Sequence, residues 1–95
     1  MRLYLGAVVP NEGARRFAAW LNAVSSAHAA KALGAIGVDA MHVDRMITGE
    51  LVPGQRQRFD IARATGHAVL VRDWSQPAFG RWGDPVPARR MRRAA

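Results

Sequence analysis

Residues 26–49, SAHAAKALGAIGVDAMHVDRMITG, decide how this chain folds. Their apolar positions recur every three or four residues, which is helix spacing rather than strand alternation. Either Ser25 or Ser26 can cap a first helix that turns Ala29, Ala30 and Leu33 inward. Gly34 stands where a left-handed C-terminal cap is wanted and predicts the end of that helix. Asp39 is a strong N-cap for the next helix, in which Ala40, Val43, Met46 and Ile47 share one face. Met41, His42, Asp44, Arg45 and Thr48 share the other, and Gly49 closes the element. Small residues at 29 and 30 would let the two helices cross closely, with Val38 and Val43 filling the angle between them. The later helix then keeps a free face.

The flanking sequence extends this helical pattern. Phe17, Trp20, Leu21 and Val24 predict a preceding helix capped by Asn11, with Arg15, Arg16 and Asn22 on its wet side. Before it, residues 3–9 form a short apolar run ended by Pro10, Asn11 and Glu12. The run is too short to span a membrane and lacks a clear signal-cleavage pattern, so it reads as a strand or arm and secretion is not expected. After Gly49, the loop 50–53 leads to a fourth helix at about residues 54–65, with Phe59, Ile61, Ala62 and Thr65 inward and Gly66 at its end. Residues 67–74 fit either a strand, from Val69, Leu70 and Val71, or a short fifth helix. From Ser75 onward Pro77, Gly80, Gly83, Pro85 and Pro87 exclude regular structure, and Arg89, Arg90, Arg92 and Arg93 make a basic run. The expected organisation is an arm or short strand at 1–10, a helical domain at 11–74 and an extension at 75–95.

Composition narrows the function classes. Ninety-five residues suffice for one small domain, and 49% hydrophobic residues allow it a core. Fourteen Lys+Arg against seven Asp+Glu leave a net charge of +7, which points to a polyanionic partner. All the basic residues but Lys31 are Arg, whose planar fork suits phosphate and guanine. The absence of Cys removes thiolate metal sites and cysteine nucleophiles. His28, His42 and His67 lack metal-ligand spacing, and the carboxylates are scattered without an acid/base pair. Ser25, Ser26 and His28 lie close together, but no nucleophile elbow surrounds them. Gly34-Ala35-Ile36-Gly37 matches the Gly-x-x-Gly of a KH domain, yet helical periodicity flanks it where that domain needs strands. No metal, cofactor or catalysis is expected.

Two helices joined by a turn, the second with a free face, have the form of a helix-turn-helix. Ala29-Ala30-Lys31-Ala32-Leu33-Gly34, then Val43 and Met46-Ile47 before Gly49, resemble the lambda-repressor/Cro-like helix-turn-helix proteins. Phe59-Asp60-Ile61-Ala62-Arg63-Ala64-Thr65-Gly66 is similar to that family's fourth helix. Val52-Pro53 with Ala64-Thr65-Gly66-His67-Ala68-Val69 resembles more narrowly the YdaS-type regulators of phages and toxin–antitoxin loci. Two departures stand out: the turn carries about three more residues around Ala35-Ile36-Gly37 than is usual, and Arg58 stands where the family has a buried apolar residue. Either a helix runs longer or the turn bulges. The Arg58 stem can pack while its head reaches water or phosphate.

The resemblance implies an all-α, compact, four- to five-helix lambda-repressor-like domain with an N-terminal arm and an irregular basic C-terminal tail. It further implies a cytoplasmic, nucleoid-associated transcriptional regulator that binds double-stranded DNA. Its third helix would lie in the major groove, with Ala40, Met41, His42, Arg45 and Thr48 toward base edges. Arg45 would be the directional contact, unless it pairs with Asp44 or Glu50 at the surface. Ser26, His28 and Lys31 on the second helix, and Gln55 and Arg56 at the start of the fourth, would hold phosphates at helix N-termini. A homodimer on an inverted repeat is expected, with Trp74, Phe79 and Trp82 either covering the domain's own base or meeting the second subunit, the latter favoured. The alternative is an antitoxin-like adaptor that docks on a toxin or RNA polymerase through this aromatic region.

Overall fold

Asn11 opens the first helix, α1 (Glu12–Ala23), its side-chain oxygen accepting the Ala14 N–H at 2.7 Å. In the computed structural model, which describes residues 8–86, three more α-helices follow: α2 (Ser26–Gly34), α3 (Ala40–Thr48) and α4 (Gln55–Ala64). A single 3-10 helix (Val71–Ser75) completes the order, and the described residues contain no strand. The expected all-helical class therefore holds, and the ambiguous stretch after Gly66 resolves as a helical turn. Residues 1–7, with most of the expected arm, and the Arg run at 89–93 lie outside the described residues.

Local chemistry sets most boundaries. Ser25 caps α2 by accepting the His28 N–H at 3.1 Å, and Asp39 caps α3 by accepting the His42 N–H at 2.9 Å. Gly49 ends α3 in the left-handed conformation, φ 87°. Gly34 does not act this way. It is the last residue of α2, Ala35 continues right-handed at φ −63°, and the left-handed residue is Gly37 at φ 76°. The Leu33 carbonyl accepts from both Ile36 and Val38 N–H, so the chain coils once more before it reverses. The extra length thus lies in the turn, residues 35–39, and not in either helix.

The core gathers where α1 lies on α3 and on the 3-10 helix. Phe17, Met46, Ile47, Ile61 and Val69 are fully buried, and Phe17 sits between Trp20 and Trp74 with ring centroids 6.2 and 6.0 Å away. Trp74 meets Phe17 edge-on at 69° and is only 3% exposed. It covers the domain's own base, so the expectation that it faces a second subunit is corrected. Phe59, expected inside, is 54% exposed. It lies roughly 200° around the helix from Ile61, and α4 buries the side that carries Ile61, Ala62 and Thr65.

Arg15 is the other reversal. Expected on the wet side of α1, it is 5% exposed, because Glu12 draws its guanidinium inward. Glu12 Oε1 accepts from Arg15 Nε at 2.8 Å, and Oε2 accepts from Arg15 Nη2 and Arg16 Nε, each at 3.0 Å. Glu12 also ties in the extension: its N–H donates to the Gln76 carbonyl, and Oε1 accepts the Phe79 N–H at 2.8 Å. Arg58 makes a second tie, donating from Nε to the Pro53 carbonyl at 2.7 Å and from Nη1 to Ser75 Oγ at 2.8 Å. Its head is thus spent inside the chain, joining the loop before α4 to the 3-10 helix.

Gly49 yields a first expected result. A Cβ there would meet Pro10 Cβ at 2.8 Å, and φ 87° strains any L side chain. Gly49→Ala should therefore cost about 1–3 kcal/mol, read as a lower midpoint in urea with unchanged helicity. An unchanged midpoint would mean that the α3 terminus is not fixed as described.

Candidate functional site

On α3 the buried residues are Met46 and Ile47, which seat the helix against α1 and leave the opposite side to solvent. That side carries Met41, Arg45 and Thr48, all exposed, Met41 at 62%. Their spacing, i, i+4 and i+7, lines them along one stripe. Thr48 Oγ1 donates back to the Arg45 carbonyl at 3.2 Å. Among the described residues no carboxylate pairs with the Arg45 guanidinium; neither Asp44 nor Glu50 takes it.

Asp39 and His42 shape the entrance to this stripe. The His42 backbone N–H, and then the facing imidazole, hold the exposed Asp39 carboxyl below its ordinary range. His42 Nδ1 lies 2.9 Å from Asp39 Oδ1, within ion-pair distance when the ring is protonated but without hydrogen-bond geometry. The N-terminus of α3 is thereby occupied by the chain's own carboxylate. The charge of that carboxylate disfavours a second anion at this tip and favours a hydrogen-bond donor.

Ala40 stands apart from the stripe. It is exposed and lies with Val43 on the far wall of a cleft of about 440 Å³, whose near wall is Ala29, Ala30 and Leu33 of α2. The close crossing expected of Ala29 and Ala30 is therefore corrected. Ala29 is buried, but Ala30 is exposed and lines the cleft that separates it from Ala40 and Val43.

The expected phosphate contacts fall into two groups. Ser26, His28 and Lys31 are exposed along α2, with the His28 ring 6.1 Å from that of Trp20. Gln55 and Arg56 are exposed at the start of α4, whose N-cap is Gly54 and which has no side-chain cap. The start of α4 thus lacks the side-chain cap that Ser25 gives α2 and Asp39 gives α3, which leaves one more amide there for an outside acceptor. Of the aromatic set, Trp74 is buried, Trp82 is half-buried against the core, and Phe79 is 64% exposed. No helix among the described residues is long and apolar enough to cross a membrane.

No family model, curated protein or solved structure matches this chain.

Reading from the sequence missed Glu12, the residue that orients the start of α1 and anchors the extension. A signal was present: Arg15 and Arg16 follow it at i+3 and i+4, the spacing at which opposite charges meet on a helix. It also missed the role of Asp39 beyond capping, since an acid at the tip of a basic domain's exposed helix limits what that tip can bind.

Proposed function

We propose that this chain is a sequence-specific double-stranded-DNA-binding transcriptional regulator whose α3 enters the major groove. The observation that carries the reading is the exposed α3 stripe in which Arg45, between Met41 and Thr48, pairs with no carboxylate among the described residues. Arg45 would reach guanine O6 and N7 bidentately, and Met41 would press on a thymine methyl. His42 and Asp39 would act as one unit at the groove entrance. The open amides of α4, with Arg56 beside them, would hold a phosphate and fix the register. The net charge of +7 supports this reading, because it favours approach to any duplex before sequence is read. Pairing of two copies, about 34 Å between reading helices, would supply the affinity one small module lacks. Phe79 is the exposed aromatic on which such pairing would draw.

Binding of duplexes by the full chain tests this division of labour. Arg45→Ala is expected to lose about 1–3 kcal/mol of discrimination at one base position. Arg56→Ala should weaken selected and random duplexes alike and reduce the salt slope by about 0.9. Sequences selected from a random duplex library should show an inverted repeat. Equal losses on specific and random DNA for both variants would reject base reading by α3.

A further inference from the structure

We propose that the groove between α4 and the 3-10 helix is a docking site for a partner protein's acidic segment bearing apolar anchors. The groove encloses about 330 Å³, and Phe59, Ala62, Leu70 and Val71 form its apolar floor. Arg63, His67 and Arg72 complete the lining, so every ionisable residue that lines it is basic. None of these residues belongs to the surface assigned to DNA above.

Phe59 is the centre of the case. Phe59 is 54% exposed on a helix whose buried side is carried by Ile61 and Ala62, so about half of the ring is left to solvent. Aromatic and arginine side chains together are the usual energetic anchors of protein interfaces. Arg63 lies one turn beyond Phe59 and is exposed, so its charge stands beside the ring. Arg72 is exposed on the 3-10 helix. Asp73, next to it in sequence, is not part of the groove lining: it is fully buried, its Oδ2 accepting the Leu70 N–H at 2.7 Å.

The backbone at the groove's edge adds a second observation. Gly66 and His67 are both left-handed, with φ 63° and 69°. Glycine bears that conformation freely, but a side chain pays for it. The bend is held by His67 N–H donating to the Ala62 carbonyl at 2.7 Å, and by Thr65 Oγ1, which donates to the Ile61 carbonyl at 2.8 Å and accepts the Val69 N–H at 3.3 Å. Leu70 and Val71 are thereby turned back toward α4, and a third basic side chain is carried to the rim.

Charge decides the occupant. A second copy of this chain has few acids to set against this basic rim, since two of its seven carboxylates, Glu12 and Asp73, are buried; pairing of copies through another face is not affected. A duplex presents a convex polar backbone that gains little from a floor of Phe, Leu and Val. An acidic segment with one or two large apolar residues satisfies floor and rim together. DNA bound at α3 should therefore leave the groove free.

Fluorescence anisotropy of a labelled peptide with Asp/Glu flanks and a Leu-Phe-Leu centre, added to the full chain, tests the site. Saturable binding is expected, weakened about tenfold or more by Phe59→Ala and by Arg63→Glu combined with Arg72→Glu. A peptide with the three apolar residues replaced by Ala, and polyglutamate, should bind weakly and without regard to Phe59. All the altered residues are exposed, and matching thermal melts would establish that the variants fold. Should Phe59→Ala fail to fold, the charge-reversed pair carries the test alone. Peptide binding that ignores these substitutions, or no saturable binding, overturns the proposal. So does an oligothymidylate that occupies the groove in a Phe59-dependent way while the acidic peptide cannot displace it. Failure of base reading at Arg45 would leave this result unaffected.

Discussion

Glu12→Gln is expected to remove about 3–5 kcal/mol of folding stability, the cost of leaving a buried ion pair half-made. The side chain is fully buried and satisfies four donors, two on Arg15, one on Arg16 and the Phe79 amide. Glutamine keeps the size but offers one acceptor oxygen and turns an amide donor toward guanidinium donors. Arg15, 5% exposed, then keeps its charge without a counter-ion. Against roughly 5–10 kcal/mol for a domain of this size, the loss is severe. Urea unfolding at neutral pH measures it, and Glu12→Gln combined with Arg15→Met should lose less than the two changes added. The sign with pH is also fixed. Burial alone would raise the Glu12 pKa, but the Arg15 hydrogen bond, the Phe79 amide and the charges of Arg15 and Arg16 together bring it below its ordinary 4.5. A lowered folded pKa stabilises the protein fully above that ordinary value and loses its effect as pH falls through the lowered one. The gap between wild type and Glu12→Gln should therefore be widest near neutrality, begin to narrow around the ordinary 4.5 and close only as pH falls through the lowered value. A gap that persists unchanged into acid would assign the loss to shape rather than charge.

What could be foreseen from sequence divides along a physical line. Caps at Asn11, Ser25, Asp39 and Gly49 were legible because a cap acts within three or four residues of itself. The free side of α3 was legible for the same reason, since Met46 and Ile47 fix which way the helix turns. Errors came where two distant pieces decide the outcome. Arg15 counts as polar in any amphipathic pattern; its partner Glu12 stands only three residues away, but the distant Gln76 and Phe79 are what tie Glu12 down and enclose the pair. Phe59 and Ile61 cannot face the same core, yet both are apolar, and choosing between them needs the position of the 3-10 helix. Misplacing Phe59 also hid the basic-rimmed groove, because its floor was counted as interior. The cleft beside Ala40 escaped notice because spacing shows that a turn is long, not how far it holds two helices apart.

The indole of Trp74 makes the second large effect. Trp74→Ala should cost about 3–5 kcal/mol, because it empties a site walled by Phe17 and by the first turn of α1. Its partner substitution has the sharper sign. Replacing a helical glycine by alanine ordinarily stabilises by roughly 0.5–1 kcal/mol. At Gly13 a Cβ would stand 2.6 Å from Trp74 Cε3 and 2.8 Å from Cγ, inside the ring's own contact distance. Neither side can yield easily: Trp74 is held edge-on by Phe17, and the helix start is fixed by the Asn11 cap and the Glu12 tie to Gln76. Gly13→Ala is therefore expected to destabilise by about 1–3 kcal/mol, the usual cost of overfilling a core. The effect should shrink when Trp74→Leu is present, since the smaller side chain leaves room for the methyl. Thermal melts of the two single variants and the double measure this coupling directly. A Gly13→Ala protein that melts above wild type would mean that the indole does not lie on α1, and the placement of the 3-10 helix against α1 would fall with it.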